Sequence, residues 1–150
     1  MNRGEIAKQN FSNGNNCAQA TLLAFSDLTG LDEATAMKLA SSFGGGMGRL
    51  REVCGAVSGM FMALGLIYGD SDVPTHENKV AHYQRVQELA ARFKEKNGSI
   101  ICRELLDGVQ TTHGVEPEKR TDQYYTKRPC GELCACAAEI LQKYIEENPI

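Results

Sequence analysis

The chain has 150 residues, which is enough for one domain with a sizeable buried core. Its formal net charge is −3 and its basic residues are scattered, so nothing favours nucleic-acid binding. The first 14 residues, MNRGEIAKQNFSNG, lack the apolar core of a signal peptide, and no uncharged run is long enough to span a membrane. We therefore expect a soluble, cytoplasmic, single-domain protein that binds neither membranes nor nucleic acids.

The N-terminal third is predicted to form three helices joined by short turns. A first helix is expected over residues 3–11, before the turn sequence SNGN. Asn16 and Gln19 are three residues apart, as in a capping box, so a second helix is expected over residues 17–30. A third helix is expected over residues 33–42, where apolar residues recur at helical spacing.

The segment 53–68 is the longest run without a charged residue, and we expect it to be the central helix of the fold. It is too long for a typical strand and lacks alternation of apolar and polar residues. Gly55, Gly59 and Ala63 follow each other at intervals of four, which leaves one face bare enough for close helix packing. A flexible loop precedes this helix, and its glycines can adopt positive φ and bring backbone N–H groups close to a bound group. These candidate cofactor-binding glycines are Gly44, Gly45, Gly46 and Gly48.

The C-terminal half is also predicted to be helical. A long amphipathic helix is expected over residues 74–97, with Gly98 as its C-terminal stop, followed by a short helical segment over 100–106. Residues 108–126 are polar and rich in turn residues, and we expect mostly loop there. The last helix is expected over residues 130–147, directly after a proline. The prediction is an all-α bundle of six or seven helices around the segment 53–68, without a substantial sheet.

Six cysteines are many for a cytoplasmic domain, in which thiols stay reduced unless they bind metal or take part in redox chemistry. Four of them, Cys17, Cys54, Cys102 and Cys130, fall in the first turn of separate predicted helices. The partial positive charge of a helix N-terminus stabilises a thiolate, the form that attacks disulfides and binds metals. We therefore expect Cys54, next to the glycine loop, to have a pKa below that of a free thiol. Inert buried thiols are the alternative interpretation.

The two remaining cysteines are harder to assign. Cys134 lies one helical turn after Cys130 and shares its face, whereas Cys136 points the opposite way. A disulfide between Cys130 and Cys134 would have poor geometry, because side chains four residues apart on a helix run parallel. The pair could bind one metal ion together, so the role of Cys134 stays open. Cys136 is interpreted as a small core residue.

Several of these segments occur together in one known family. They are Cys17 within NNCAQATLLAF, the block FGGGMGRLREVCGAVSGM around Cys54, CRELL at Cys102, and a last cysteine at the start of a C-terminal helix. With them, residues 5–145 resemble the C_GCAxxG_C_C family of small redox-active proteins. The resemblance implies a bacterial or archaeal protein with four signature cysteines and a redox role without an assigned reaction. It places the fourth signature cysteine at Cys130.

The resemblance extends to split-Soret cytochromes, which contain a similar domain beside their haems that holds an iron–sulfur centre. The chain has no C-x-x-C-H sequence, so covalent attachment of a c-type haem is not expected. The implication that remains is cluster binding.

Two redox functions and one non-redox function are therefore kept open. In the first, Cys17, Cys54, Cys102 and Cys130 bind an iron–sulfur cluster for electron transfer, although the tight C-x₂-C spacing of ferredoxins is missing. In the second, no cofactor is present. Cys54 attacks a substrate disulfide and Cys102 resolves the mixed disulfide that forms, although no C-x-x-C motif is found. In the third, the chain is a structural or adaptor domain.

The partners expected follow from these alternatives. They are a redox partner protein or a small thiol or disulfide, and formation of a homodimer is left open. The three histidines, His76, His82 and His113, are expected at the surface and not as ligands.

Overall fold

The computed structural model describes residues 1–109 and 114–150, and these residues form nine α-helices. A 3₁₀ turn, Ser41–Phe43, and a left-handed turn, Gly44–Met47, join the fourth helix to the central one. The helices are α1 (Arg3–Ser12), α2 (Cys17–Leu23), α3 (Ser26–Thr29), α4 (Glu33–Ala40), α5 (Gly55–Tyr68), α6 (His76–Asn97), α7 (Cys102–Leu105), α8 (Asp122–Lys127) and α9 (Cys130–Glu147).

The all-α prediction is confirmed, although the number of helices exceeds the six or seven expected. The helix predicted over residues 17–30 is divided in two, because the N–H groups of Ala24 and Phe25 bond to the carbonyls three residues earlier and tighten the chain into a turn. This turn places Phe25 completely inside the core. Helix α8 forms within the segment expected to be loop, because Thr121 caps it by accepting a hydrogen bond from the N–H of Tyr124.

The central helix α5 begins at Gly55 and not at Val53. Val53 pairs instead with Ile101 in an isolated β-bridge, the sole β pairing among the described residues. The N–H of Cys54 donates to the carbonyl of Ile100 at 2.8 Å, which ties the start of α5 to the segment before α7. This link brings two of the four predicted helix starts next to each other.

Helix α5 is buried over most of its length and packs against α2 and α9, while α1 packs against α9 and α2. The predicted capping box at Asn16 and Gln19 is present at the start of α2. Gly98 ends α6 in a left-handed conformation, as predicted. In the described part of the chain, no helix combines the length and apolar character needed to cross a bilayer.

Gly59 tests the close packing of α5 against α2. A Cβ atom on Gly59 would lie 2.5 Å from the carbonyl oxygen of Ala18, so a larger side chain must push the helices apart. We expect Gly59→Leu to lower the free energy of unfolding by about 1–3 kcal/mol, measured by denaturant titration. The matched control is Gly65→Ala on the same helix, where no atom lies within 4 Å of the added Cβ. Equal stability of Gly59→Leu and the wild type would show that this face of α5 is not tightly packed.

Candidate functional site

Four helix starts meet at one cavity of about 310 Å³. Cys17, Cys102 and Cys130 are the first residues of α2, α7 and α9, and Cys54 is the N-cap residue of α5. All four side chains line this cavity, and each residue is at most 9% exposed. Residues that are 113 positions apart in sequence are therefore gathered at one buried place.

The cavity is closed on one side by a left-handed glycine loop, defined here as residues 44–49. Five consecutive residues of this loop, 45–49, have φ angles between 64° and 71°. Two of them, Met47 and Arg49, are not glycines, and each such residue costs about 1–2 kcal/mol in this conformation. Backbone hydrogen bonds offset this strain, including one of 2.9 Å from the N–H of Glu52 to the carbonyl of Gly46. The four glycines predicted to bind a cofactor, Gly44, Gly45, Gly46 and Gly48, line the cavity together with Gly55, and cofactor binding by them stays a prediction.

Close approach to the cysteines is a second reason for glycine in this region. A Cβ atom on Gly46 would lie 2.6 Å from the Cβ atom of Cys102. A Cβ atom on Gly55 would lie 2.9 Å from the Cβ atom of Cys17. The missing side chains therefore leave the space that two of the four cysteines occupy.

Substitutions at two glycines separate the effect of close packing against a cysteine from the effect of backbone conformation. Gly46 and Gly30 have nearly the same φ, 71° and 70°, but no atom lies within 4 Å of a Cβ added at Gly30. We expect Gly46→Ala to lower the free energy of unfolding by about 2–4 kcal/mol and Gly30→Ala by about 1–2 kcal/mol. Denaturant titration of both variants measures the difference. Equal losses of stability in the two variants would mean that conformational strain alone explains why glycine is needed at position 46.

Next to the glycine loop, the cavity wall carries a network of arginines around one carboxylate. Glu118 accepts a hydrogen bond from Nη1 of Arg49 at 2.8 Å. Its Oε1 atom forms ion pairs with Nη2 of Arg128 at 2.7 Å and with Nη2 of Arg51 at 3.5 Å, neither of them an aligned hydrogen bond. Nη1 of Arg51 donates to the sulfur of Cys102 at 3.7 Å. Sequence reasoning missed this network because Glu118 lies in the segment expected to be loop.

Two aromatic rings and a further arginine form the wall near α1. The rings of Phe11 and Tyr124 stack with their centroids 6.3 Å apart. The guanidinium of Arg120 lies 4.3 Å from the centroid of the Phe11 ring and donates to the carbonyl oxygens of Phe11 and Asn15. This packing fixes the segment before α8 against α1, and all three side chains line the cavity.

A family model described as "putative redox-active protein (C_GCAxxG_C_C)" matches residues 15–144. This chain is a member of the C_GCAxxG_C_C family. The match includes all four cavity cysteines, the glycine loop and the arginine network. No curated protein and no solved structure matches the chain.

In this C_GCAxxG_C_C protein the thiol of Cys54 is harder to ionise than a free thiol, so the prediction of a lowered pKa is wrong. Burial raises the pKa of Cys54 to about 12, although the backbone N–H groups of Ala56 and Val57 favour the thiolate. The cost of removing the charge from water exceeds the benefit of the helix N-terminus. Cys54 is therefore protonated at neutral pH in the metal-free protein, which weakens its predicted role as an attacking thiolate.

The pKa values of the other three cavity thiols are also raised. A hydrogen bond with Cys130 favours the thiolate of Cys17, but the hydrogen bond with Cys134 and burial raise the pKa of Cys17 well above its ordinary value. The hydrogen bond with Cys17, together with burial, raises the pKa of Cys130. Burial raises the pKa of Cys102, and the Arg51 guanidinium opposes that increase.

The cysteines outside the signature do not line the cavity. Cys134 is completely buried behind Cys17, and its sulfur lies 3.7 Å from the carbonyl oxygen of that residue. Cys136 is half-buried and accepts a hydrogen bond from Nδ2 of Asn97 at 3.4 Å. Of the two candidates for the fourth position, Cys130 and Cys134, only Cys130 lines the cavity.

The histidines contribute nothing to the cavity where the structure describes them. His76 is exposed, and His82 is half-buried on α6 with Nδ1 at 3.3 Å from Nη1 of Arg85. His113 lies outside the described residues. Within residues 1–109 and 114–150, no group of three or more His, Cys, Asp or Glu side chains is arranged to hold a metal ion. This includes the four cavity cysteines, which are therefore not placed to share one single ion.

Proposed function

We propose that this protein transfers electrons through an iron–sulfur cluster held in the four-cysteine cavity, with Cys17, Cys54, Cys102 and Cys130 as ligands. The observation that carries the proposal is the convergence of four cysteines from four separate helix starts on one cavity. Four cysteine thiolates are the usual ligand set of such clusters. Facing helices of a bundle can supply ligands that are far apart in sequence.

The chemistry around the four thiols supports a positively charged metal core at their centre. As thiolates, these side chains would be desolvated and would repel one another, and both effects raise their pKa values. Iron ions would remove this cost, because metal binding deprotonates thiols and balances their charge. The cluster would supply one-electron transfer. The glycine loop and the arginine network would provide N–H groups near the sulfurs and exclude water.

A metal-free thiol–disulfide exchange is the second candidate, and one contact favours it. The side chains of Cys17 and Cys130 line the same cavity, and each changes the pKa of the other. Oxidation of this pair would form one S–S bond and pass two electrons and two protons to a disulfide substrate, which becomes two thiols. This pair replaces the combination of Cys54 and Cys102 expected from the sequence, because the side chains of Cys17 and Cys130 interact directly, whereas Cys102 acts on Cys54 only through its charge.

Purification without oxygen tests the two candidates directly. We expect a brown protein with visible absorbance, in which chemical analysis finds iron and acid-labile sulfide in similar amounts. A colourless protein that loses two titratable thiols on exposure to a disulfide would favour the second candidate. A colourless protein whose thiols do not respond would leave a structural or adaptor function.

A further inference from the structure

Glu118 holds two guanidinium groups, each of which faces a different cavity cysteine. Arg51 lies between Glu118 and Cys102, with Nη1 at 3.7 Å from the sulfur and Nη2 at 3.5 Å from the carboxylate. Arg128 has Nη2 at 2.7 Å from the same carboxylate, and it lines the cavity together with Cys130, whose charge acts on it. One carboxylate thus orients two cations toward two of the four sulfurs.

These two cations are poorly screened by solvent. The side chain of Arg128 is 5% exposed and that of Arg51 is 18% exposed. Tyr124 covers Arg128 on its other side, with its ring centroid 4.9 Å from the guanidinium carbon. Charges interact more strongly at such buried positions than at the surface, because less water lies between them.

We propose that Arg51 and Arg128, held in place by Glu118, are positioning residues that raise the reduction potential of the four-cysteine site. This inference rests on the proposed redox function and names the residues that tune it. A cluster held by these cysteines would gain one negative charge for each electron that it accepts, whereas a disulfide reduced to two protonated thiols would gain none. Nearby cations and hydrogen bonds to the sulfurs therefore stabilise the reduced form, and the reduction potential increases.

The test is an anaerobic titration of the protein as purified, with dithionite as reductant and mediator dyes of known potential. We expect Arg51→Gln and Arg128→Gln each to shift the equilibrium with the dyes at least tenfold toward the oxidised form. For a one-electron couple a tenfold shift equals about 59 mV. The control is Arg92→Gln, which removes the same charge from an ion-paired arginine of α6 that does not line the cavity.

Arg51→Lys separates tuning by charge from a merely structural role. Lysine keeps the positive charge. The reduction potential of Arg51→Lys should therefore lie closer to the wild-type value than the reduction potential of Arg51→Gln. If the lysine and glutamine variants shift equally, the charge of Arg51 does not set the potential and the proposal is overturned. Arg51→Gln also serves as the decisive variant if Arg128→Gln fails to fold, because the Arg51 side chain is less buried.

The outcomes distinguish this inference from the proposed function. A wild-type protein that titrates reversibly, with both glutamine variants shifted to lower potential, supports the inference. A wild-type protein that titrates, with variants at the potential of Arg92→Gln, overturns the inference and leaves the redox function intact. A wild-type protein with no reversible transition overturns both.

Discussion

Cys54→Ser is expected to lose its bound iron and much of its stability together. Cys54 is 4% exposed and caps α5, the helix at the centre of the core. A hydroxyl is a poor ligand for cluster iron, and metal binding in such sites is coupled to folding. We expect the visible absorbance of the anaerobically purified variant to fall to the baseline, with a clear decrease in its melting temperature.

The matched control is Cys136→Ser. Cys136 is half-buried and does not line the cavity, so this variant should keep its iron and its absorbance. A Cys54→Ser variant that retains iron at the wild-type ratio would exclude Cys54 as a ligand. One that folds normally, binds no iron because the wild type binds none, and loses disulfide exchange would favour metal-free exchange through Cys54 and Cys102 over exchange through Cys17 and Cys130.

The metal-free protein is expected to lose stability as the pH rises above about 8.5, the pKa of a free thiol. Burial raises the pKa of Cys54 to about 12, so the folded state holds this proton more tightly than the unfolded state does. The resulting stabilisation is complete below pH 8.5 and is lost progressively toward pH 12. For Cys54 alone the full loss is on the order of 5 kcal/mol, because each pKa unit corresponds to about 1.4 kcal/mol.

Denaturant titrations between neutral pH and pH 10 measure this loss. Alkylation of Cys54 in the metal-free protein gives a second measurement, since the thiolate is the reactive form. At neutral pH the folded protein should react about three orders of magnitude more slowly than the same chain in denaturant. A rate that stays high below neutrality would show that Cys54 is a thiolate after all and would restore the expectation drawn from the sequence.

The sequence predicted the helical class and the residues at the helix starts because both depend on local signals. The capping box at Asn16, the glycine stop at Gly98 and the uncharged segment 53–68 each act within a few residues of chain. The convergence of the cysteines could be expected from these starts together with the family resemblance. Their placement around one cavity is observed, while their roles as ligands or nucleophiles stay predictions.

The pKa of Cys54 and the arginine network could not be predicted from local signals. The direction of the pKa shift depends on how much water the fold removes from the sulfur, and burial is a property of the whole core. Glu118 meets Arg51 and Arg128 across 67 and 10 residues of sequence, in a segment whose composition indicated only a loop. Ion pairs hold Glu118 in place, and such long-range pairs cannot be predicted from the periodicity of the sequence.

The packing of α1 against α9 has a consequence for synthesis of the protein on the ribosome. Contacts between elements so far apart in sequence form late, after the entropy of closing a long loop has been overcome. Until α9 emerges from the exit tunnel, the cavity around Cys17, Cys54 and Cys102 lacks the wall that Cys130 and Leu133 supply. Their thiols then ionise as in an unfolded chain and are open to oxidants. Folding of α9 thus protects these thiols, and the nascent chain is the state in which they are most vulnerable.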